Sequence, residues 1–193
     1  MHNNYYLNFD TIKNPNTIDV LVNKYNYLGD YIPNDLIKLP LIYSYDHKYL
    51  RKDAYIWLDK MIKDAKNNGI NLLVISAYRS YDYQEKLFAN YVDEIGYEKA
   101  SLGSAKAGFS EHQTGLVVDL ADLTGNYMNF ENTKEFVWMI NNAHKYGFIL
   151  RYPKDKTYIT GYKYEPWHYR YVGNNIATYL TKNNLTLEEY KKN

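Results

Sequence analysis

The sequence predicts an α+β fold, a small and mainly antiparallel sheet with flanking helices. Segments with helical apolar spacing are interspersed with short apolar runs such as "INLLVIS" and "FILRY". These strand candidates are too short and too close together for the regular crossovers of a doubly wound sheet. No internal repeat, low-complexity tract or linker interrupts residues 50–193, and a chain of 193 residues is long enough to bury one real core.

Taken in order, residues 1 to about 50 mix Asn, Tyr and Pro with short apolar runs. The two prolines of "YIPNDLIKLP" rule out a long helix there, so this part reads as an irregular wrapping segment. From Arg51, Ala54, Trp57, Leu58, Met61, Ile62 and Ala65 recur at helical spacing, and Gly69 supplies the stop. Ile70 to Ser76 reads as a buried strand that delivers Arg79 to the next helix. Asp82 with Glu85 has the form of that helix's capping box, and Gly96 ends it. The Gly-, Ser- and Ala-rich "SLGSAKAGFS" reads as a loop, followed by a strand over Leu116 to Leu120. Asn132 with Glu135 predicts a second cap, opening a helix that presents Phe136, Val137, Ile140 and Ala143 on one side and stops at Gly147. "FILRY" and "YEPWHYRYV" read as strands separated by the turn-rich "PKDKTYITG", and Thr186 with Glu189 caps a short terminal helix.

Composition narrows the function classes. A net charge of +1 is too balanced for a protein driven onto nucleic acid by phosphate contacts, and no apolar run approaches the length of a membrane-spanning helix. Zero cysteines exclude disulfides and thiolate ligands, leaving His, Asp and Glu for any zinc site. "MHNNYYLNFD" lacks the basic and apolar regions of a secretory signal. The 24 tyrosines suit either a compositional bias or an aromatic-lined groove for a peptide or glycan.

The stretch "FSEHQTGLVVDLAD" carries the chemistry. Strand alternation puts Leu116, Val118 and Leu120 toward the core and Asp119 on the opposite, open face, where a loop turning at Gly115 could bring His112. Catalytic zinc usually takes three nitrogen and oxygen ligands and keeps a fourth position for water. His112, Asp119 and one more histidine would make such a set. In "YKYEPWHYRYV", Pro166 fixes the backbone between Glu165 and His168, which places a general base beside a third ligand. Metal-assisted hydrolysis is the chemistry this set supports, with Glu165 taking the proton from a zinc-bound water and passing it to the leaving amine. Arg79, at a strand end before a helix, suits a substrate carboxylate or an oxyanion. Trp167 fits the lining of the same cleft. His144, in the last turn of a helix, reads as structural, and His47 and His2 carry no ligand pattern.

"ISAYRSYDYQ", "SEHQTGLVVDL" and "GFILRYPKDKTYITGYKYEPWHYRYVG" together resemble the zinc D-alanyl-D-alanine carboxypeptidase family, which includes vancomycin-resistance D,D-carboxypeptidases and L,D-carboxypeptidases, within a superfamily that also holds lysostaphin-type endopeptidases and the hedgehog domain. The likeness runs from about residue 17 to 191, which implies an N-terminal tail over 1–16 and a single domain over 17–193. It implies one zinc ion per chain held by His112, Asp119 and His168, Glu165 as catalytic base, and Arg79 against the scissile carbonyl or the terminal carboxylate. Gln84, Ser110 and Trp167 are then expected as substrate contacts. Val117 departs from the family's usual alanine. The implied substrate is the peptidoglycan stem peptide, cut by a monomer that works outside the cytoplasmic membrane, in the bacterial envelope, behind a signal or anchor that this chain lacks. An endopeptidase, or a catalytically silent wall-peptide binding module, are the alternatives on the same scaffold.

Overall fold

The computed structural model describes residues 6–192; His2 lies outside them. The centre is a four-stranded antiparallel sheet of β5 (Leu73–Ser76), β6 (Val117–Ala121), β7 (Phe148–Leu150) and β8 (His168–Tyr171), in spatial order β5-β6-β8-β7. Helices α1 (Lys52–Asn67), α2 (Tyr81–Ile95), α3 (Tyr97–Gly103), α4 (Lys134–Asn142), α5 (Thr157–Thr160), α6 (Asn174–Asn183) and α7 (Leu187–Lys192) surround it. The expected α+β class is the observed one.

One face of the sheet makes the main core. Leu116, Val118 and Leu120 of the β6 region pack with Val74 of β5 and with Ala54, Leu58, Met61, Ile62 and Ala65 of α1, all buried. These α1 residues form the stripe read from the sequence, and each large side chain removed from water contributes roughly 1.5–3 kcal/mol. Asn68 returns its N–H to the Asp64 and Ala65 carbonyls, and Gly69 follows at φ +72°, the left-handed position that ends the helix.

Several local expectations are corrected by tertiary context. The Ile70 to Ser76 strand is shortened to Leu73–Ser76. The cap of α2 is Ser80, which accepts from Tyr83 N–H, rather than Asp82; the chain leaves β5 extended through Ser80, so the earlier hydroxyl reaches the free N–H groups first. Thr133 replaces Asn132 as the cap of α4, accepting from Phe136 N–H. Glu135 instead accepts from Asn71 N–H, a tertiary contact. The buried side of α4 is Phe136, Met139 and Ala143, while Val137 and Ile140 face solvent at 60% and 42% exposure. Part of the expected loop "SLGSAKAGFS" is helical, because α3 follows directly on Gly96 and runs to Gly103. The turn-rich excursion contains the short α5, and α6 was not read from the sequence. Thr186 and Glu189 do form the reciprocal box expected at the start of the last helix: Glu189 N–H donates to Thr186 Oγ1, and Thr186 N–H donates to Glu189 Oε2.

The N-terminal segment wraps the domain with two small ribbons. β1 (Asp10–Thr11) pairs with β2 (Asn26–Tyr27), and β3 (Leu36–Lys38) pairs with β4 (Tyr49–Arg51). Val20, Val22, Leu28, Leu39 and Tyr43 from this region enter the main core. Tyr6, Phe9 and Tyr27 meet Phe109 in an aromatic cluster, with ring centroids 4.8–5.2 Å apart. Gly108 turns the chain beneath it at φ +78°, and a Cβ built there would lie 2.1 Å from Tyr27 Cε2. Gly108→Ala is therefore expected to destabilise the protein by about 1–3 kcal/mol through strain and overpacking. Urea unfolding would measure this, and a native midpoint would refute it.

Candidate metal centre and catalytic cleft

Sheet register brings the candidate site residues together. In the β6–β8 ladder Asp119 stands opposite His168, and in the β5–β6 ladder it stands opposite Ser76 beside an irregularity between Val74 and Ser76. The third residue arrives on a short 3-10 turn, Glu111–Thr114, that ends at Gly115 with φ +68°. This turn is fastened to the end of β5: Arg79 N–H donates to the His112 carbonyl at 3.2 Å, and His112 Nδ1 lies 2.6 Å from the Ala77 carbonyl. With Nδ1 donating to that carbonyl, Nε2 is free to face the cleft.

There His112 Nε2 lies 3.3 Å from Asp119 Oδ2, and His168 Nδ1 lies 3.2 Å from Asp119 Oδ1. One donor atom from each of the three residues falls within 4.8 Å of the other two. His112 Nε2 and Asp119 Oδ1 are buried and have no hydrogen-bond partner among the described residues. Burying such atoms is costly unless something satisfies them. Two imidazoles and one carboxylate, with room beside them, fit a zinc ion that keeps an open position.

Electrostatics separates the roles. Burial pushes Glu165 up to about 7, with its neighbour His168 opposing and Asp119 reinforcing that shift. Burial would also raise Asp119, but His112 and His168 hold it well below the usual carboxylate range. His112 is lowered to about 4 by burial and then by the nearby Arg79 charge. Burial would lower His168 as well, yet Asp119 and Glu111 carry it up to about 9. One carboxylate is thus a permanent anion, while the other can exchange a proton near neutrality.

The surrounding cavity, about 580 Å³, is lined by Arg79, Ser110, Glu165 and Trp167 as well as the three donors. Glu165 Oε2 is 3.6 Å from His168 Nδ1, and Arg79 Nε is buried with no hydrogen-bond partner among the described residues. Gln84 is the exception among the expected substrate contacts. It does not line the cavity; its Nε2 donates to the Ala105 carbonyl and to Ser104 Oγ, which ties α2 to the loop beyond α3. Val117 is fully buried beside the strand position of Asp119. His47 is among the residues lining the cavity, although no pattern in the sequence marked it, and His144 lies away from the site.

Tyrosines answer the compositional question in part. Tyr49, Tyr83, Tyr91 and Tyr127 all line the cleft, with Tyr127 edge-on to Trp167 at 5.1 Å. No spacing in the sequence could select these from 24. Glu111 was also missed. A charged residue one place before a candidate ligand was a signal, but its complete burial follows only from the fold.

The chain matches the family model described as VanY: D-alanyl-D-alanine carboxypeptidase over residues 47–174. It is 46% identical to the putative carboxypeptidase YodJ of Bacillus subtilis (strain 168), covering 94% of this chain and 69% of that protein. Among solved structures, it is similar to the LdcB LD-carboxypeptidase, with 44% identity, a TM-score of 0.89 and coverage of 95% and 90% of the two chains. It is also similar to a vancomycin resistance D,D-pentapeptidase VanY solved in complex with Zn(II), with 33% identity, a TM-score of 0.78 and coverage of 89% and 97%.

Proposed function

The chain belongs to the D-alanyl-D-alanine carboxypeptidase family, and from that premise we propose that it is a zinc-dependent carboxypeptidase removing the C-terminal D-alanine from peptidoglycan stem peptides. The observation that carries this reading is the convergence, in one cavity, of three donors (two buried histidines and the partly buried Asp119), a carboxyl poised near neutrality and a buried arginine nitrogen with no hydrogen-bond partner among the described residues. His112, Asp119 and His168 would hold the zinc, which when bound supplies a Lewis acid and acidifies a water. Glu165 accepts the proton released during attack on the scissile carbonyl and delivers it to the leaving amine. Arg79 presents its guanidinium to the substrate's terminal carboxylate or the developing oxyanion. Ser110 and Trp167 line the path of the peptide. The substrate places the enzyme's work outside the cytoplasmic membrane; no described helix is long and apolar enough to cross one.

The greater likeness to an LD-carboxypeptidase than to a D,D-pentapeptidase supports tetrapeptide as the substrate, cut at an L-to-D bond. Mass spectrometry of a pentapeptide and tetrapeptide muropeptide mixture tests this, with zinc-loaded and chelated protein run side by side. Tetrapeptide is expected to become tripeptide only in the zinc-loaded sample. Conversion that stops at tetrapeptide would reassign the enzyme as D,D-specific, and no release of alanine in either sample would remove the carboxypeptidase reading.

The same assay across pH reads Glu165. Only its ionised form accepts a proton, so kcat/KM should rise with pH along an acid limb. Burial holds Glu165 at about 7 although His168, Lys163 and Arg79 pull it down; a bound divalent cation would favour the carboxylate further, so the limb should fall on the acid side of that value. A rate that increases as the solution is acidified would contradict this assignment.

A further inference from the structure

His168 has two ring nitrogens with different surroundings. Nδ1 faces the donor cluster, 3.2 Å from Asp119 Oδ1 and 3.6 Å from Glu165 Oε2. Nε2, on the other edge, faces Glu111 Oε2 at 3.6 Å. Nε2 and Oε2 are both buried, and among the described residues neither has a hydrogen-bond partner. The separation is somewhat beyond a hydrogen bond, and the two groups face each other as a charge pair.

Glu111 is held firmly from its other oxygen. Oε1 accepts from Arg151 Nε and from Arg170 Nη1, both at 2.8 Å. Arg170 is fixed in turn by donating to the carbonyls of Ile18, Val20 and Tyr171. Arg151 grips Glu188 of α7 with two parallel bonds of 2.8 and 2.6 Å. The two guanidiniums engage Oε1 and leave Oε2 as an acceptor in need of a donor, and His168 Nε2–H is the group placed to meet it.

We propose that Glu111 is a positioning residue for the metal centre: it keeps the ring proton of His168 on Nε2, so that Nδ1 presents its lone pair beside Asp119 and His112. An outer carboxylate of this kind fixes both the tautomer and the ring angle of a ligating histidine. The inference rests on the zinc reading of the same site. The competing view makes Glu111 merely the counter-charge of two buried arginines. Glu188 performs that service for Arg151 without facing His168, which supplies the control.

The test compares zinc affinity of the native protein, Glu111→Gln and Glu188→Gln by competition with a chromophoric chelator. In Glu111→Gln the amide oxygen remains with the two guanidinium donors, which turns the NH2 group toward Nε2. Two donors then oppose each other, and the tautomer with its proton on Nδ1, unable to bind the ion there, is favoured. Zinc affinity is expected to fall about 10- to 100-fold, while Glu188→Gln keeps native affinity. Native affinity in Glu111→Gln, or equal losses in both variants, would overturn the proposal. Nitrogen-15 NMR of the native zinc-loaded protein reads the same point without a variant, so it decides the matter if Glu111→Gln does not fold: the His168 proton should sit on Nε2, and zinc or no proton at that nitrogen overturns the assignment. Neither readout uses hydrolysis. A native protein that binds zinc but cleaves no stem peptide would remove the peptidase reading and leave this one intact.

Discussion

Glu165→Gln is expected to lower kcat by about 10²- to 10⁴-fold, the range typical of a lost general base, while zinc remains bound. The amide keeps the size and shape of the side chain but cannot take up a proton at neutral pH. Glu165 is 94% removed from solvent and raised to about 7, so in the native protein a proton can enter and leave it under working conditions. It stands outside the three-residue donor group, which is why its loss should spare the metal. Chelator competition would report zinc and muropeptide mass spectrometry would report turnover. Native turnover in the variant would sink the role given to Glu165, and loss of zinc together with turnover would instead make it a ligand.

Arg151→Met should cost about 3–5 kcal/mol of stability, the usual penalty for removing one partner of a buried ion pair. The guanidinium of Arg151 lies between Glu111 and Glu188, bonding to both, and all three residues are at most 5% exposed. Among the described residues, its removal leaves Glu188 with the Asn23 amide and Glu111 with Arg170. The penalty should also depend on pH. Burial alone would raise Glu111, but Arg151, followed by Arg170, holds it well below the usual carboxylate range. A carboxyl lowered in the folded state contributes stability that is present above its unfolded value and is lost as pH falls through its folded one. Removing Arg151 shrinks that shift, so the gap between native and variant should narrow on acidification. Urea unfolding at neutral and acidic pH would measure both effects. A variant within about 1 kcal/mol of native at neutral pH would mean that the network is not the buried charge assembly its distances describe.

The helix at α1 was legible because its apolar stripe and terminal glycine are local signals that survive packing. The caps of α2 and α4 were misplaced for the opposite reason. Ser80 and Asp82 both offer an oxygen at suitable spacing, as do Asn132 and Thr133, and the entry angle of the incoming chain chose between them. Likewise Glu135, which looks like half of a local box, was drawn away by Asn71 across the fold. Gln84 carried a motif-based expectation of substrate contact, but the packing of α2 against the loop at Ala105 turned it inward.

For the site itself, the sequence alone determined which residue types could act. Without cysteine, the donors had to be histidine and carboxylate, and strand alternation already put Asp119 on the face away from the core. Motifs in order along the chain then identified His112, Asp119, His168, Glu165 and Arg79 as a group and implied the family. Only the tertiary structure decided how they meet. Distances of 3.2 and 3.3 Å between residues separated by up to 49 positions depend on the β6–β8 register and on the tie from β5 to the 3-10 turn. The burial that raises Glu165, the tyrosines chosen to line the cleft and the network behind His168 have no local signature. Each is a sum over neighbours from distant parts of the chain, and charge, burial and hydrogen bonding take their values only once those neighbours are in place.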